Sequence, residues 1–369
     1  MSEHDKRHMK RALTLARKGI GKTSPNPAVG CVIVKAGRVV GEGWHQKAGQ
    51  PHAEINALTM AGSEAQDADV YVTLEPCSHT GRTPPCAASL IAAGVRRVVA
   101  GMVDPNPQVA GKGFAMLRKA GIIVEHGLME PECRAINRPF IKHITTGLPY
   151  VTYKCAMTLD GNIATVTGES QWISCMDSRR YTHRLRATND AIMVGVDTII
   201  TDNPQLTVRH VKGRNPLRVI VDTRLRTPES VDVLSERMAH DTIIATTESN
   251  PRVHLRYLQQ GATVIVCDEY DGRVSMIDLL QKLGKRGIQS ILLEGGSRLA
   301  GEMLQNGVID EFVFFLAPKI IGSDGFAPFT LRGITSMDQA IRLQFGQITR
   351  SGQDIVIHAW PGEAPCSPA

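Results

Sequence analysis

The 369-residue chain is 42% hydrophobic and 21% charged, the balance of a globular protein long enough for two ordinary domains. Its formal charge of +6 is not gathered into a tract, which suits small anionic ligands such as phosphates and speaks against a nucleic-acid groove. No apolar run approaches the roughly 18 residues of a membrane span, and the charged start Met1-Ser2-Glu3-His4-Asp5-Lys6-Arg7 lacks the apolar core of a signal peptide. The 8 cysteines show no framework spacing, so reduced thiols in a cytoplasm are expected.

An amphipathic helix (Met9, Ala12, Leu13, Ala16) leads into the turn-rich Thr23-Ser24-Pro25-Asn26-Pro27. Strands are expected at 29–34 and 38–43, joined at Ala36-Gly37. Pro51 then reads as a first-turn residue of a helix running through Ala53, Ile55, Ala57, Leu58, Met60 and Ala61 to a stop at Gly62. Residues 69–74 read as a buried strand delivering Glu75-Pro76-Cys77 at its C-terminal end. Thr83 reads as the cap of a second helix that holds Cys86 in its first turn and stops at Gly94. A strand at 97–100, the polar loop Asp104-Pro105-Asn106-Pro107-Gln108, a helix at 114–119 and a strand at 122–124 complete one layered α/β unit. Helical 133–144 follows, and the domain boundary is placed between 147 and 148.

Three short motifs in this first unit carry chemistry. His52, Cys77 and Cys86 offer one imidazole and two thiolates, a three-ligand zinc set that leaves a fourth position for water. Glu54 adds a carboxylate that need not be a ligand, and a His/Cys/Cys set with a separate glutamate is the inventory of a zinc deaminase. Two residues apart, His52 and Glu54 converge only if the site lies over the N-terminal end of their helix. Such a metal lowers the pKa of its water from roughly 15.7 to about 7, on the order of 12 kcal/mol toward the nucleophile.

The second half opens with a strand at 150–157 and a turn at Thr158-Leu159-Asp160-Gly161. A helix carrying Arg179, Arg180, Arg184 and Arg186 precedes a strand at 191–194. Further strands are expected at 217–221, 242–245, 263–266, 291–293, 312–317 and 354–358. Glu294-Gly295-Gly296 opens a helix after one of them, where backbone N–H groups can meet a phosphate, although a plain tight turn explains the glycines equally well. No G-x-G-x-x-G follows a predicted strand, so an ordinary dinucleotide fingerprint is absent. The tail from Pro361 to Ala369 reads as disordered.

Pro25-Asn26-Pro27-Ala28-Val29-Gly30, His52-Ala53-Glu54, Glu75-Pro76-Cys77-Ser78-His79, Gly81-Arg82-Thr83-Pro84-Pro85-Cys86 and Asp104-Pro105-Asn106-Pro107 resemble the deaminase half of the bifunctional riboflavin-biosynthesis deaminase–reductases. Eight residues separate Cys77 from Cys86, a longer loop than the Pro-Cys-x-x-Cys of nucleoside and tRNA deaminases. The stretches 154–161, 168–172, 195–209 and 294–301 resemble the reductase half. The resemblance implies an α/β protein with a cytidine deaminase-like three-layer domain at 1–147 and a dihydrofolate reductase-like domain at 148–361. It implies one zinc per chain on His52, Cys77 and Cys86, Glu54 as the proton carrier, and Asn26, His45, His79, Arg82, Asp104 and Asn106 as substrate contacts. In the second domain it implies an NADPH site at Ala156, Trp172, Thr198, Asp202, Thr223, Gly296, Ser297, Arg298, Leu299, Ala300, Gly301 and Glu302. Ser170, Arg186, Leu206, Arg209 and Glu294 would hold the ribose phosphate, with Lys154 near the sugar.

The reaction implied is hydrolytic deamination of a diaminopyrimidinone ribosylamine phosphate, then NADPH-dependent reduction of its ribosyl group to a ribityl chain. The expected partners are this small phosphorylated pyrimidine and further copies of the chain, as a dimer or tetramer, with neither nucleic acid nor membrane. Two rivals remain at this stage. One is a zinc deaminase of RNA bases or free nucleosides whose second domain is non-catalytic or differently specific. The other is a structural zinc module, which would want a fourth protein ligand and would leave Glu54 without a task.

Overall fold

The computed structural model of the chain describes residues 2–78, 85–107 and 109–362. It divides into two compact units, Met1–Gly147 and Leu148–Ala369, and the first ends where Gly147 takes the left-handed conformation (φ 75°) that closes a helix.

The first unit runs α1 (Glu3–Arg17), β1 (Gly30–Lys35), β2 (Arg38–Trp44), α2 (Ala53–Ala61), β3 (Asp69–Val72), α3 (Cys86–Ala92), β4 (Arg97–Ala100), α4 (Lys112–Lys119), β5 (Ile123–His126), α5 (Glu130–Ile136) and α6 (Arg138–Thr146). Its sheet has the order β2-β1-β3-β4-β5, with β1 antiparallel to both neighbours and β3, β4 and β5 parallel. Both faces are covered. A Cβ on Gly30 would stand 2.0 Å from the Ala12 carbonyl oxygen, so α1 packs directly on one face. Cys31, the next residue, faces the other side and pairs with Gly43, where a Cβ would meet the Ala53 oxygen of α2 at 2.3 Å. Helices on opposite faces of one sheet make three layers, as the resemblance implied.

Three local readings differ from the structure. Pro51 lies just outside α2, and His52 itself is the N-cap in extended backbone. Pro85, not Thr83, is the N-cap of α3; Thr83 lies outside the described residues. The helix expected at 133–144 is two helices broken at Asn137, whose amide exchanges bonds with the Ala28 N–H and carbonyl at 2.8 and 3.0 Å. Pro139, in the first turn of α6, has no N–H to continue a helix through that point.

The second unit runs β6 (Tyr150–Thr158), α7 (Met176–Thr188), β7 (Ala191–Gly195), α8 (Val196–Asp202), β8 (Leu217–Val221), β9 (Thr242–Thr246), α9 (Pro251–Leu258), β10 (Thr263–Val266), β11 (Glu269–Tyr270), β12 (Arg273–Val274), α10 (Met276–Lys285), β13 (Ser290–Leu293), α11 (Ser297–Gln305), β14 (Glu311–Ala317), β15 (Leu343–Ser351) and β16 (Asp354–Pro361). The main sheet has the order β10-β9-β8-β7-β13-β6-β14-β16-β15, parallel from β10 to β14 and antiparallel over the last two strands. Strand alternation splits its core: Ala191 and Met193 pack with Leu279, Leu283 and Met303, while Ile192 and Val194 pack with Ile199 and Tyr257.

The edge strand β15 has no counterpart in the sequence reading, because its mostly exposed, polar-rich residues show no buried apolar run. Pro361 belongs to β16 and pairs with Leu343, so the tail expected to be disordered begins in a strand; residues 363–369 lie outside the described residues.

Candidate active sites

In the first unit, α2 is placed by its small residues. Ala53, Ala57 and Ala61 recur along its buried side and let it lie against Gly41 and Gly43 of β2. Glu54 falls on the same buried stripe in the first turn, 3% exposed, and His52 stands at the N-cap beside it. Cys77 follows the end of β3 and Cys86 is the first residue of α3. The Cys86 N–H donates to the Cys77 sulfur at 3.3 Å, as a helix N-terminus favours for a thiolate.

These groups converge. His52 Nδ1 lies 3.7 Å from Cys77 Sγ and 3.3 Å from Cys86 Sγ, and the three donor atoms fall within 4.8 Å of one another. Hydrogen bonds from Cys86 and His52 hold the Cys77 thiol below its usual range against its burial. The thiol of Cys86 is raised, chiefly by that shared proton and by burial, and the His52 imidazole is raised by Cys77. The arrangement is two sulfurs and an imidazole closed around a single point. Zinc fits this donor set, and its binding would take both sulfurs as thiolates. Burial pushes the Glu54 carboxyl up to about 7, outside the triad of ligands.

Among the expected substrate contacts, Asn26 and His45 come together beside the metal site. His45 is 2% exposed and its ring lies edge-on to His52, centroids 5.2 Å apart. The Pro51 carbonyl can only accept, so His45 Nδ1 donates to it at 3.2 Å, and Nε2 then accepts from the Asn26 amide at 3.1 Å. Burial lowers the His45 imidazole, in keeping with this neutral tautomer. Asp104 accepts from the Asn106 N–H at 2.9 Å, which shapes the 104–106 turn. His79 and Arg82 lie outside the described residues.

Sequence reasoning missed Glu75. Its buried carboxylate accepts N–H bonds from Asp104, Gly111, Gly113 and Phe114 at 2.9–3.3 Å. The signal available was an acidic residue inside an otherwise apolar strand end, which is costly unless well partnered.

In the second unit, a cavity of about 340 Å³ is lined by Lys154, Ala156, Ser170, Trp172, Arg186, Thr198, Asp202, Leu206, Arg209, Glu294 and Gly296, all expected there. It is also lined by Arg179, His183 and His210, which were not. Arg179 stacks its guanidinium on the Trp172 ring at 4.2 Å, and Trp172 is 59% exposed at that wall. The His183 Nδ1 accepts from the Arg209 N–H at 3.1 Å, fixing where that loop sits. Gly295 and Gly296 do not form a left-handed turn: Gly296 is the extended N-cap of α11, and a Cβ there would meet nothing within 4 Å. The backbone therefore leaves open space at the cavity wall.

Several expected residues lie elsewhere. Leu299, Ala300 and Gly301 are buried because α11 turns that side into the core and against the Thr330 backbone. Thr223 is tied up at a strand end, its carbonyl accepting from the Thr246 and Thr247 hydroxyls. Arg298 pairs with Asp197, and Glu302 with Arg273. None of these six, nor Ser297, lines the cavity. Arg186, read as a phosphate clamp, spends three nitrogens internally, two on Glu294 and one on the Thr207 carbonyl.

Known proteins with this pattern are readily found. Residues 2–102 match the cytidine and deoxycytidylate deaminase zinc-binding region, and residues 149–357 match the RibD C-terminal domain. The riboflavin biosynthesis protein RibD of Escherichia coli (strain K12) is 44% identical over 367 residues, covering 96% of this chain and 98% of that protein. That of Aquifex aeolicus is 44% identical over 356 residues, with 96% and 98% covered. The solved structure of Acinetobacter baumannii RibD superposes with a TM-score of 0.90 at 39% identity over 98% of this chain and 99% of that one. A diaminohydroxyphosphoribosylaminopyrimidine deaminase/5-amino-6-(5-phosphoribosylamino)uracil reductase from Thermotoga maritima gives 0.87 at 35% identity, with 97% and 99% covered. A double match of this kind, one per unit and nearly end to end, places the chain in the riboflavin biosynthesis protein RibD family.

Proposed function

We propose that the two sites described above carry the two steps of this family, with the roles assigned as follows. The chain is a bifunctional riboflavin-biosynthesis enzyme that deaminates a diaminopyrimidinone ribosylamine phosphate and then reduces its ribosyl group with NADPH. The observation that carries the assignment of the first step is the closure of His52, Cys77 and Cys86 to within 4.8 Å beside the buried Glu54.

Held by those three residues, zinc supplies the pull that makes water a nucleophile at neutral pH. Glu54 takes a first proton from the attacking water and delivers it to the ring nitrogen. It then takes the second from the added hydroxyl and gives it to the departing amine as the carbonyl forms and ammonia leaves. Burial raises that carboxyl, which helps it hold the proton between the two transfers. Neutral His45, oriented by the Pro51 carbonyl, uses its second nitrogen to hold the Asn26 amide that meets the pyrimidine. Asp104, Asn106, His79 and Arg82 complete its contacts.

In the second unit, NADPH supplies the hydride. Trp172 and the open backbone at Gly296 would hold the dinucleotide, with Ala156, Thr198 and Asp202 along the same cavity. Arg209, Ser170, Leu206 and Lys154 hold the sugar phosphate. Arg186 acts here by holding Glu294 in place.

Family membership over 96% of the chain sets aside the RNA-directed reading and the structural-zinc reading alike. No helix among the described residues is long and apolar enough to cross a membrane. The described cysteines are all free, which supports a reducing cytoplasm, and we assign the working form to a homo-oligomer, dimer or tetramer. The test is a paired assay on the zinc-loaded chain. Ammonia release followed by stoichiometric NADPH oxidation is expected, and ammonia without oxidation would overturn the assignment of the second cavity.

A further inference from the structure

We propose that Glu75 is a positioning residue of the deaminase site, tying the loop that bears Asp104 and Asn106 to the strand end that bears Cys77. The inference rests on reading Asp104 and Asn106 as substrate contacts.

Glu75 is only 4% exposed, yet its carboxylate has four donors. One oxygen accepts from the Asp104 and Gly111 N–H groups at 3.1 and 3.0 Å, the other from Gly113 and Phe114 at 2.9 and 3.3 Å. The last two belong to the first turn of α4, where helix N–H groups lack partners of their own and a negative charge is favoured. An ordinary cap serves one helix. This one also takes the Asp104 N–H, eight residues before α4, from a different strand end. Asp104 in turn accepts from Asn106 at 2.9 Å, so the position of the Glu75 carboxylate sets the whole turn.

The attachment is tight. The Glu75 N–H donates to the Met102 carbonyl at 3.0 Å, and a Cβ on Gly113 would stand 2.0 Å from the Pro76 oxygen. Helix start, turn and metal-ligand strand therefore meet with no room for a side chain between them. A glutamine cannot replace the glutamate here. Its NH2 would face two N–H donors in place of an acceptor.

The test is Glu75→Gln in the full-length, zinc-loaded chain, read by deamination kinetics and zinc content. Tenfold or greater elevation of KM for the diaminopyrimidinone substrate is expected, with kcat changed less and zinc still near one per chain. NADPH-dependent reduction, measured on the same preparation, reports that the second unit is folded, and the retained zinc reports that the first is. A double variant with Asp104→Ala should raise KM no further than the larger single effect, because both changes release the same turn. Loss of zinc, a fall in kcat at unchanged KM, or additive effects would each overturn the proposal. Should Glu75→Gln fail to fold, Glu75→Asp keeps the charge and shortens its reach to the four N–H groups. The same rise in KM then supports the proposal, and an unchanged KM refutes it. If the wild-type chain itself releases no ammonia, the deaminase reading has failed, and not this one.

Discussion

Arg186 and Glu294 face one another in two parallel hydrogen bonds, Nε to Oε1 at 2.7 Å and Nη2 to Oε2 at 3.0 Å, with both side chains largely buried. Lys154 approaches the same carboxylate at 3.8 Å. A buried charge deprived of its partner is costly, about 3–5 kcal/mol. Arg186→Met should therefore destabilise the second unit by about that amount, and adding Glu294→Leu should recover most of it. Urea unfolding of the two variants measures this. Equal losses in the single and the double would show that the pair is not the reason.

Acid should weaken the same unit in two stages. Burial opposes ionisation of Glu294, but Arg186 and Lys154 outweigh it and hold the carboxyl at about 2, below the 4.5 of a free glutamate. Its contribution is present above 4.5 and is lost as pH falls toward 2. His183 is displaced earlier: burial first, then Arg186, His210 and Arg209, bring its imidazole from 6.5 to about 4. The unfolded chain binds that proton more readily, so stability declines as pH falls from 6.5 to 4. Replacing His183 with Asn, which keeps an acceptor for the Arg209 N–H, should flatten that upper limb. An unchanged pH profile of the urea midpoint would exclude His183 as its source.

Glu54→Gln keeps the shape of the first site but removes the group proposed to move protons. Deamination should fall by at least about a hundredfold, within the range such catalysis contributes, while zinc stays bound. Metal analysis alongside ammonia assay separates the cases. Metal lost with activity would mean that Glu54 supports the ligands.

Chelation should divide the two activities. Treatment that strips the metal, or Cys86→Ser, should stop ammonia release yet leave NADPH-dependent reduction of supplied deaminated intermediate within about twofold of wild type, since the second cavity shares no residue with the metal site. Parallel loss of both would contradict that independence.

The sequence by itself supplied the candidate ligands, the candidate proton carrier and the two-unit expectation, because each is written in local chemistry: His52-Ala53-Glu54 at a helix start, Cys77 after a strand, Cys86 at another helix start. The edge strand β15 was not legible, since an exposed strand carries no apolar alternation, and only its pairing with β16 reveals it. The break at Asn137 was hidden likewise, because its cause is a pair of hydrogen bonds to Ala28, 109 residues away.

Tertiary structure alone decided which polar groups are free to act. Arg186 reads from sequence as a phosphate clamp, and folding places Glu294 in its fork; Ala300 reads as a cofactor contact, and the turn of α11 places it in the core. Glu75 shows the converse, a residue whose task exists only because the 104–114 segment folds back onto it. Residue type and spacing specify what a side chain can do. Its partners decide what it does, and they come from distant parts of the chain that meet only on folding.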